Sequence, residues 1–167
     1  MIRPATLSDL NLIAKLYQSV AAIPGGIARQ ADEISWEYVE NNLSKSLLTG
    51  ICLVAEEDGQ VVAEIHSYKL VPKVFDHVLS ELTIVVHPDW QGKGIGKEIF
   101  TAFLQEVKTN RPEILRVELI ARESNEKAVN FYQKIGFRIE GKFEKRIANP
   151  DGTFESDIPM GWVRDRV

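Results

Sequence analysis

The segment Val85-Val86-His87-Pro88-Asp89-Trp90-Gln91-Gly92-Lys93-Gly94-Ile95-Gly96-Lys97 runs from an apolar strand pattern through a glycine-dense turn into a helical pattern. Glycine lets the backbone approach a ligand closely and adopt conformations that other residues avoid. The first N–H groups of a helix have no internal partners and sit at the positive end of its dipole. No Ser, Thr, Asp or Asn stands directly before Gly94 to cap them. An uncapped, glycine-opened helix start is a ready site for a phosphate. A Walker loop would need glycine at Gln91 and a hydroxyl at Glu98, and a dinucleotide fingerprint would need glycine at Lys97, so both common nucleotide readings fail on a named residue. A tight strand–helix turn without a ligand is the plainer alternative. Three glycines and two lysines in one turn weigh against it.

Other residues able to do chemistry are scattered. In the apolar run Val78–Val86, alternation places Glu81 on one face with Leu79, Thr83 and Val85, an odd place for a carboxylate. Glu118 lies in the strand pattern Leu115–Ala121, where a surface carboxylate is the plain alternative. Asn125 and Tyr132 are two helical turns apart, so both are expected to project from one helix face. The lone cysteine, Cys52, sits in an apolar run and reads as a buried structural thiol, since no neighbouring base is supplied locally. His87 reads as structural, and His66 and His77 either line the acceptor side or face solvent, with solvent the plainer reading. No His or Cys grouping has metal-ligand spacing, and no metal is expected.

The elements that must position these residues follow from periodicity. A short strand at Ile2–Ala5 precedes a helix capped by Ser8 or Asp9 and stopped by Pro24-Gly25-Gly26. Asp32–Leu48 is helical in pattern and closes at Gly50. Ile51–Glu56 and Gln60–Leu70 form a hairpin across Glu57-Asp58-Gly59. After the strand Val78–Val86 come a helix from Gly94 to about Val107, the strand Leu115–Ala121, and a helix capped by Ser124 that ends at Gly136. Phe137–Ile147 and Phe154–Val163 form a closing hairpin. The order β-α-α-β-β-β-α-β-α-β-β predicts a mixed α/β fold with one sheet. The strand–helix–strand crossover around Gly94–Val107 places a parallel pair within it.

Length and composition bound the rest. The 167 residues suit one domain, and 44 % hydrophobic with 26 % charged residues is ordinary for a globular chain. A net charge of −4 argues against a general nucleic-acid binder. No apolar run approaches the ~20 residues of a membrane span, and the N-terminus has no secretory pattern. A cytoplasmic protein with no membrane partner is expected.

The run Gln91-Gly92-Lys93-Gly94-Ile95-Gly96 resembles the Q/R-x-x-G-x-G/A signature of the GCN5-related N-acetyltransferase (GNAT) family. Leu82–Pro88 before it, and Asn125, Tyr132 and Gly136-Phe137 after it, resemble the rest of that family's core, and the element order matches its fold. The resemblance implies one N-acetyltransferase domain over residues 1–167, with a mostly antiparallel sheet whose central parallel pair is flanked by helices. It implies acetyl-CoA as cosubstrate. The pyrophosphate would take backbone N–H groups from Gln91, Gly92, Lys93, Gly94, Ile95 and Gly96, with charge from Lys93 or Lys97. The pantetheine arm would pair with Ile84, Val85 and Val86, as an added strand would. In the same reading Asn125 holds the cofactor arm and Tyr132 protonates the leaving thiolate. The base is Glu81 (Ser80 competes for the same aligned position), Glu118 or a water chain. The acceptor is expected to be a primary amine of a small molecule, amino acid or peptide, bound by segments 23–30, 68–77 and 143–157. A homodimer through the C-terminal strands is also compatible with the resemblance. A non-catalytic CoA-binding module, acting by ligand sensing or dimerisation, is the competing expectation.

Overall fold

The structure, a computed structural model, describes residues 1–23, 27 and 29–165, so the expected helix stop at Pro24-Gly25-Gly26 lies outside the described residues. Among the described residues eight strands form one open, mixed sheet in the order β1-β2-β3-β4-β5-β8-β6, with β7 also paired to β8. The chain divides into two compact units, residues 1–69 with 83–112, and residues 70–82 with 113–167.

The first unit contains β1 (Ile2–Pro4), α1 (Leu10–Ala21), α2 (Trp36–Thr49), β2 (Ile51–Glu57), β3 (Gln60–Lys69), the second half of β4 (Val78–Val86) and α3 (Ile95–Asn110). β1, β2 and β3 are antiparallel neighbours, with Cys52 opposite His66 and Val54 opposite Glu64. Ile13, Leu16, Tyr17 and Val20 recur at helical spacing on α1 and are buried with Val39 and Leu43 of α2, Cys52, Val54 and Val85. α3 packs on β2 and β3 and buries Ile99, Phe100, Phe103 and Val107. Neither expected cap acts as such at the start of α1. Thr6–Asp9 instead close a 3-10 turn, with the Thr6 N–H donating to the Asp9 carboxylate at 2.7 Å. That carboxylate is shared with Arg3, which bonds it at 2.8 and 2.9 Å. The second helix starts later than its apolar pattern does. Ser35 caps it by accepting from the Tyr38 N–H, and residues 31–33 form a separate 3-10 turn.

The second unit contains the first half of β4, β5 (Arg116–Arg122), α4 (Glu126–Lys134), β6 (Arg138–Ile139), β7 (Phe143–Ala148) and β8 (Phe154–Val163). β4 and β5 pair in parallel at Val78–Arg116 and Leu79–Val117, the parallel pair expected from the crossover. β5 runs antiparallel to β8 along its whole length. The closing hairpin differs from expectation, because residues 140–142 interrupt its first strand and leave β6 and β7 as separate pieces on β8. Ser124 does not cap α4. Its hydroxyl donates to Glu155, and Asn125 caps the helix by accepting from the Ala128 N–H at 3.2 Å. Gly136 follows the helix with φ +110, as expected.

Candidate functional site

In the first unit the glycine loop is built as a helix opening. Gly94 is the residue before α3 and has φ +88, a conformation that favours glycine, and no side chain caps the helix. The first bond of the helix runs from the Glu98 N–H to the Gly94 carbonyl at 3.0 Å, so the N–H groups of Ile95, Gly96 and Lys97 are the helix's unpaired first-turn donors. A side chain at Gly92 or Gly94 would meet nothing within 4 Å, so space stands open above the loop. Gly96 serves a different end. A Cβ there would lie 3.3 Å from Val86 Cγ2, so its lack of a side chain lets α3 start tight against the end of β4. Gln91 fastens the turn by donating from Nε2 to the Val86 carbonyl at 3.1 Å. Among Ile84–Val86, only Val85 is buried. Lys93 and Lys97 are exposed, and the Lys93 ammonium lies 4.7 Å from the centre of the Trp90 ring. His87 does what was expected of it, accepting from the Asp89 N–H within the turn.

The second unit holds the other expected site residues. Tyr132 is half-buried on α4, with Phe131 and Phe137 rings 5.8 and 6.1 Å away. Burial pushes its hydroxyl above the ordinary tyrosine value of 10, so it stays protonated at neutral pH. Asn125 lies outside the helix, at φ −90 and ψ 61, so helical periodicity does not set its direction as expected. Its side-chain oxygen is used as the cap, and the residue is exposed. Glu81 departs from the strand alternation used to place it. It has φ +54, in the left-handed region, and lies exposed after three consecutive buried residues, Val78, Leu79 and Ser80. Such a residue breaks the two-residue period and re-aims its side chain, as a bulge does. Glu118 accepts from Arg116 Nε at 2.8 Å, and Arg116 also reaches Glu140 at 3.0 and 2.5 Å. Arg116 lies over β8 where a side chain at Gly161 would come within 2.6 Å of Nη1, so the glycine makes room for this ion network.

Two expectations need correction or completion in the first unit. His66 does not face solvent. It is 3 % exposed, with Nδ1 2.8 Å from Glu64 Oε1. Cys52 is buried as expected, but β3 supplies it with a carboxylate partner that the local sequence lacked, Glu64 Oε1 at 3.2 Å. Burial pushes its thiol far above the ordinary cysteine range, which removes the thiolate a nucleophile requires. Glu64 itself escaped the sequence reading. Its only signal was a carboxylate set among the apolar residues Val61, Val62, Ala63 and Ile65 of a strand pattern. Among the described residues no group of three or more His, Cys, Asp or Glu is placed to hold a metal, and no helix is long and apolar enough to cross a membrane.

Comparison with known proteins defines the class. The sequence model of the acetyltransferase (GNAT) domain matches residues 49–139, and the chain belongs to that family. A spermidine N(1)-acetyltransferase of Escherichia coli K12 is 30 % identical over 66 residues, 40 % of this chain and 35 % of the relative. The chain spans about a third of the length of the curated relatives it matches. An acetyltransferase of the GNAT family from Streptococcus pneumoniae superposes with a TM-score of 0.87 at 23 % identity, over 98 % of both chains. A GNAT superfamily phosphinothricin acetyltransferase from Sinorhizobium meliloti, solved in complex with acetyl-CoA, gives 0.83 at 17 % identity over 98 % of this chain and 87 % of the other.

Proposed function

We propose that residues 1–167 act as one N-acetyltransferase domain that transfers an acetyl group from acetyl-CoA to a primary amine. The observation that carries this reading is the uncapped start of α3, where Gly94 holds φ +88, three first-turn N–H groups have no helix partner, and the space beside Gly92 and Gly94 is open. Those groups suit the pyrophosphate of the cosubstrate, with Lys93 and Lys97 adding positive charge on the exposed side. Family membership and the acetyl-CoA complex of the Sinorhizobium protein support the choice of ligand.

Bound acetyl-CoA supplies the activated acyl group for direct attack by the amine on the thioester. The chain's own work is binding and proton handling. A lysine-like ammonium must lose its proton first, at a cost of roughly 4–5 kcal/mol at pH 7. Glu81, exposed on its left-handed turn of β4, is the side chain we assign to receive it, directly or through water. Glu118, which accepts from Arg116, is the second candidate. Tyr132, protonated at neutral pH as an ordinary tyrosine is and raised further by burial, donates to the departing thiolate. The acceptor class is small amines, amino acids or peptide N-termini, and the E. coli relative named for spermidine favours placing polyamines first. A thiol-release screen over polyamines, amino acids and short peptides, with products identified by mass spectrometry, tests this. Acetylation of an amine nitrogen is the expected result. Purified protein that binds acetyl-CoA yet releases no thiol with any acceptor class would favour a non-catalytic module.

A further inference from the structure

β3 carries Glu64 and His66 on one face, at positions where a strand covered by helices calls for apolar residues. Their exposures are 1 % and 3 %. The Tyr17 hydroxyl of α1 donates to Glu64 Oε2 at 2.7 Å, and the Cys52 thiol of β2 donates to Oε1 at 3.2 Å. His66 Nδ1 lies 2.8 Å from the same Oε1 and 3.3 Å from the Tyr17 hydroxyl. These four side chains form one hydrogen-bonded cluster, in which the second ring nitrogen of His66, Nε2, has no hydrogen bond among the described residues.

Asn42 does not join them. It lies on the inward face of α2 with 9 % exposure, and its backbone carbonyl accepts from Ser46 Oγ at 2.7 Å. Among the described residues its carboxamide makes no hydrogen bond. A buried carboxamide without partners loses its hydration and gains nothing in return. Beside it is a cavity whose polar wall is Tyr17, Asn42, Glu64 and His66, the rest being aliphatic. The cavity leaves about 10 Å³ in which the centre of a water molecule can move, which is room for one molecule.

We propose that this cavity is a binding site for a single water molecule, which joins the Asn42 carboxamide to the Tyr17–Glu64–His66 cluster. Two features select water over an empty void. Dry cavities in proteins are apolar, whereas this one offers polar groups from three elements, within the two to four partners a buried water uses. The unpaired Asn42 amide also needs a small partner able both to donate and to accept. The bridge makes α2 the third element tied to β3 through polar bonds, after α1 through Tyr17 and β2 through Cys52. It also steadies the His66 ring, which lies parallel to that of Tyr68 with centroids 6.3 Å apart.

The test begins with the native protein. A crystal structure at about 1.5 Å resolution is expected to show one water within hydrogen-bond distance of Asn42 and of Tyr17, Glu64 or His66. Oxygen-17 relaxation dispersion in solution is expected to detect its long residence. Asn42→Leu, of the same branched shape but with two methyl groups in place of the amide oxygen and nitrogen, should expel the water and lower the folding equilibrium constant by about 5- to 150-fold, the scale for stranding buried polar groups. An empty cavity in the native crystal would overturn the proposal. So would Asn42→Leu leaving the folding constant unchanged or raised, because filling a dry cavity removes a void and an unpaired amide together. Should the variant fail to fold, the crystal and the relaxation measurement decide without it.

Discussion

Gly94→Glu separates charge from shape at the phosphate loop. With φ +88 at this position, any L-residue carries left-handed strain, about 1–2 kcal/mol, and it falls on folding stability rather than on ligand affinity. A Cβ at Gly94 meets nothing within 4 Å, so Gly94→Ala is expected to fold with that strain alone. Glutamate adds a negative charge beside the site proposed for a diphosphate. For two phosphate charges at about 5 Å, Coulomb's law gives about 2 kcal/mol at the dielectric of water and about 7 kcal/mol at an effective dielectric of 20. The loop is exposed, so the lower end applies. At about 2–3 kcal/mol, acetyl-CoA affinity should fall about 30- to 150-fold. Calorimetric titration of both variants, beside thermal unfolding, reads the two effects apart. The expected pattern is similar unfolding temperatures, with affinity lost in Gly94→Glu and less than about ten-fold lost in Gly94→Ala. Equal loss in both variants would show that strain, not charge, governs binding. Full affinity in Gly94→Glu would remove the phosphate from this loop.

Tyr132→Phe should lower turnover by roughly ten- to ten-thousand-fold, with acetyl-CoA affinity nearly unchanged, and unaltered steady-state rates would remove it as the acid. Because burial raises the Tyr132 hydroxyl, activity lost through its ionisation should appear only above the ordinary value of 10, which a pH–rate profile reads. Glu81→Gln should cut turnover by about a hundred-fold or more, whereas Glu118→Gln should mainly loosen its bond to Arg116 and leave turnover within a few-fold; the reverse ranking would exchange their assignments. Asp9 is 4 % exposed, and the Arg3 guanidinium holds its carboxyl down from 3.8 to about 2, with the Thr6 N–H contributing after it. The unfolded chain therefore binds this proton more readily. The contribution of about 2 kcal/mol is present above pH 3.8 and lost as pH falls towards 2. Asp9→Asn should remove that part of the acid dependence from denaturant-unfolding curves, and an unchanged dependence would refute the assignment.

Much of this was legible from residue pattern because local chemistry dictated it. The Asp58-Gly59 hairpin, the α3 stripe of Ile99, Phe103 and Val107, and the glycine opening of that helix all appear where periodicity and turn chemistry place them. What escaped depended on partners distant in sequence or on one backbone angle. Glu81 looked inward only if β4 kept a strict two-residue period, and φ +54 at that residue breaks it. Ser124 looked like the cap of α4 until Glu155, 31 residues away, claimed its hydroxyl and left the task to Asn125. His66 looked solvent-facing because nothing nearby in sequence announced Tyr17, 49 residues away, as its neighbour. Arg116 was passed over because Glu140 comes from across the sheet.

The most direct test of the central claim is calorimetric titration of the native protein with acetyl-CoA, followed by addition of an amine and measurement of released thiol. Micromolar binding that Gly94→Glu weakens, with thiol released on adding a primary amine, is the predicted result. No binding of acetyl-CoA to the native protein would contradict the account at its root, since the uncapped opening of α3 would then hold no cosubstrate.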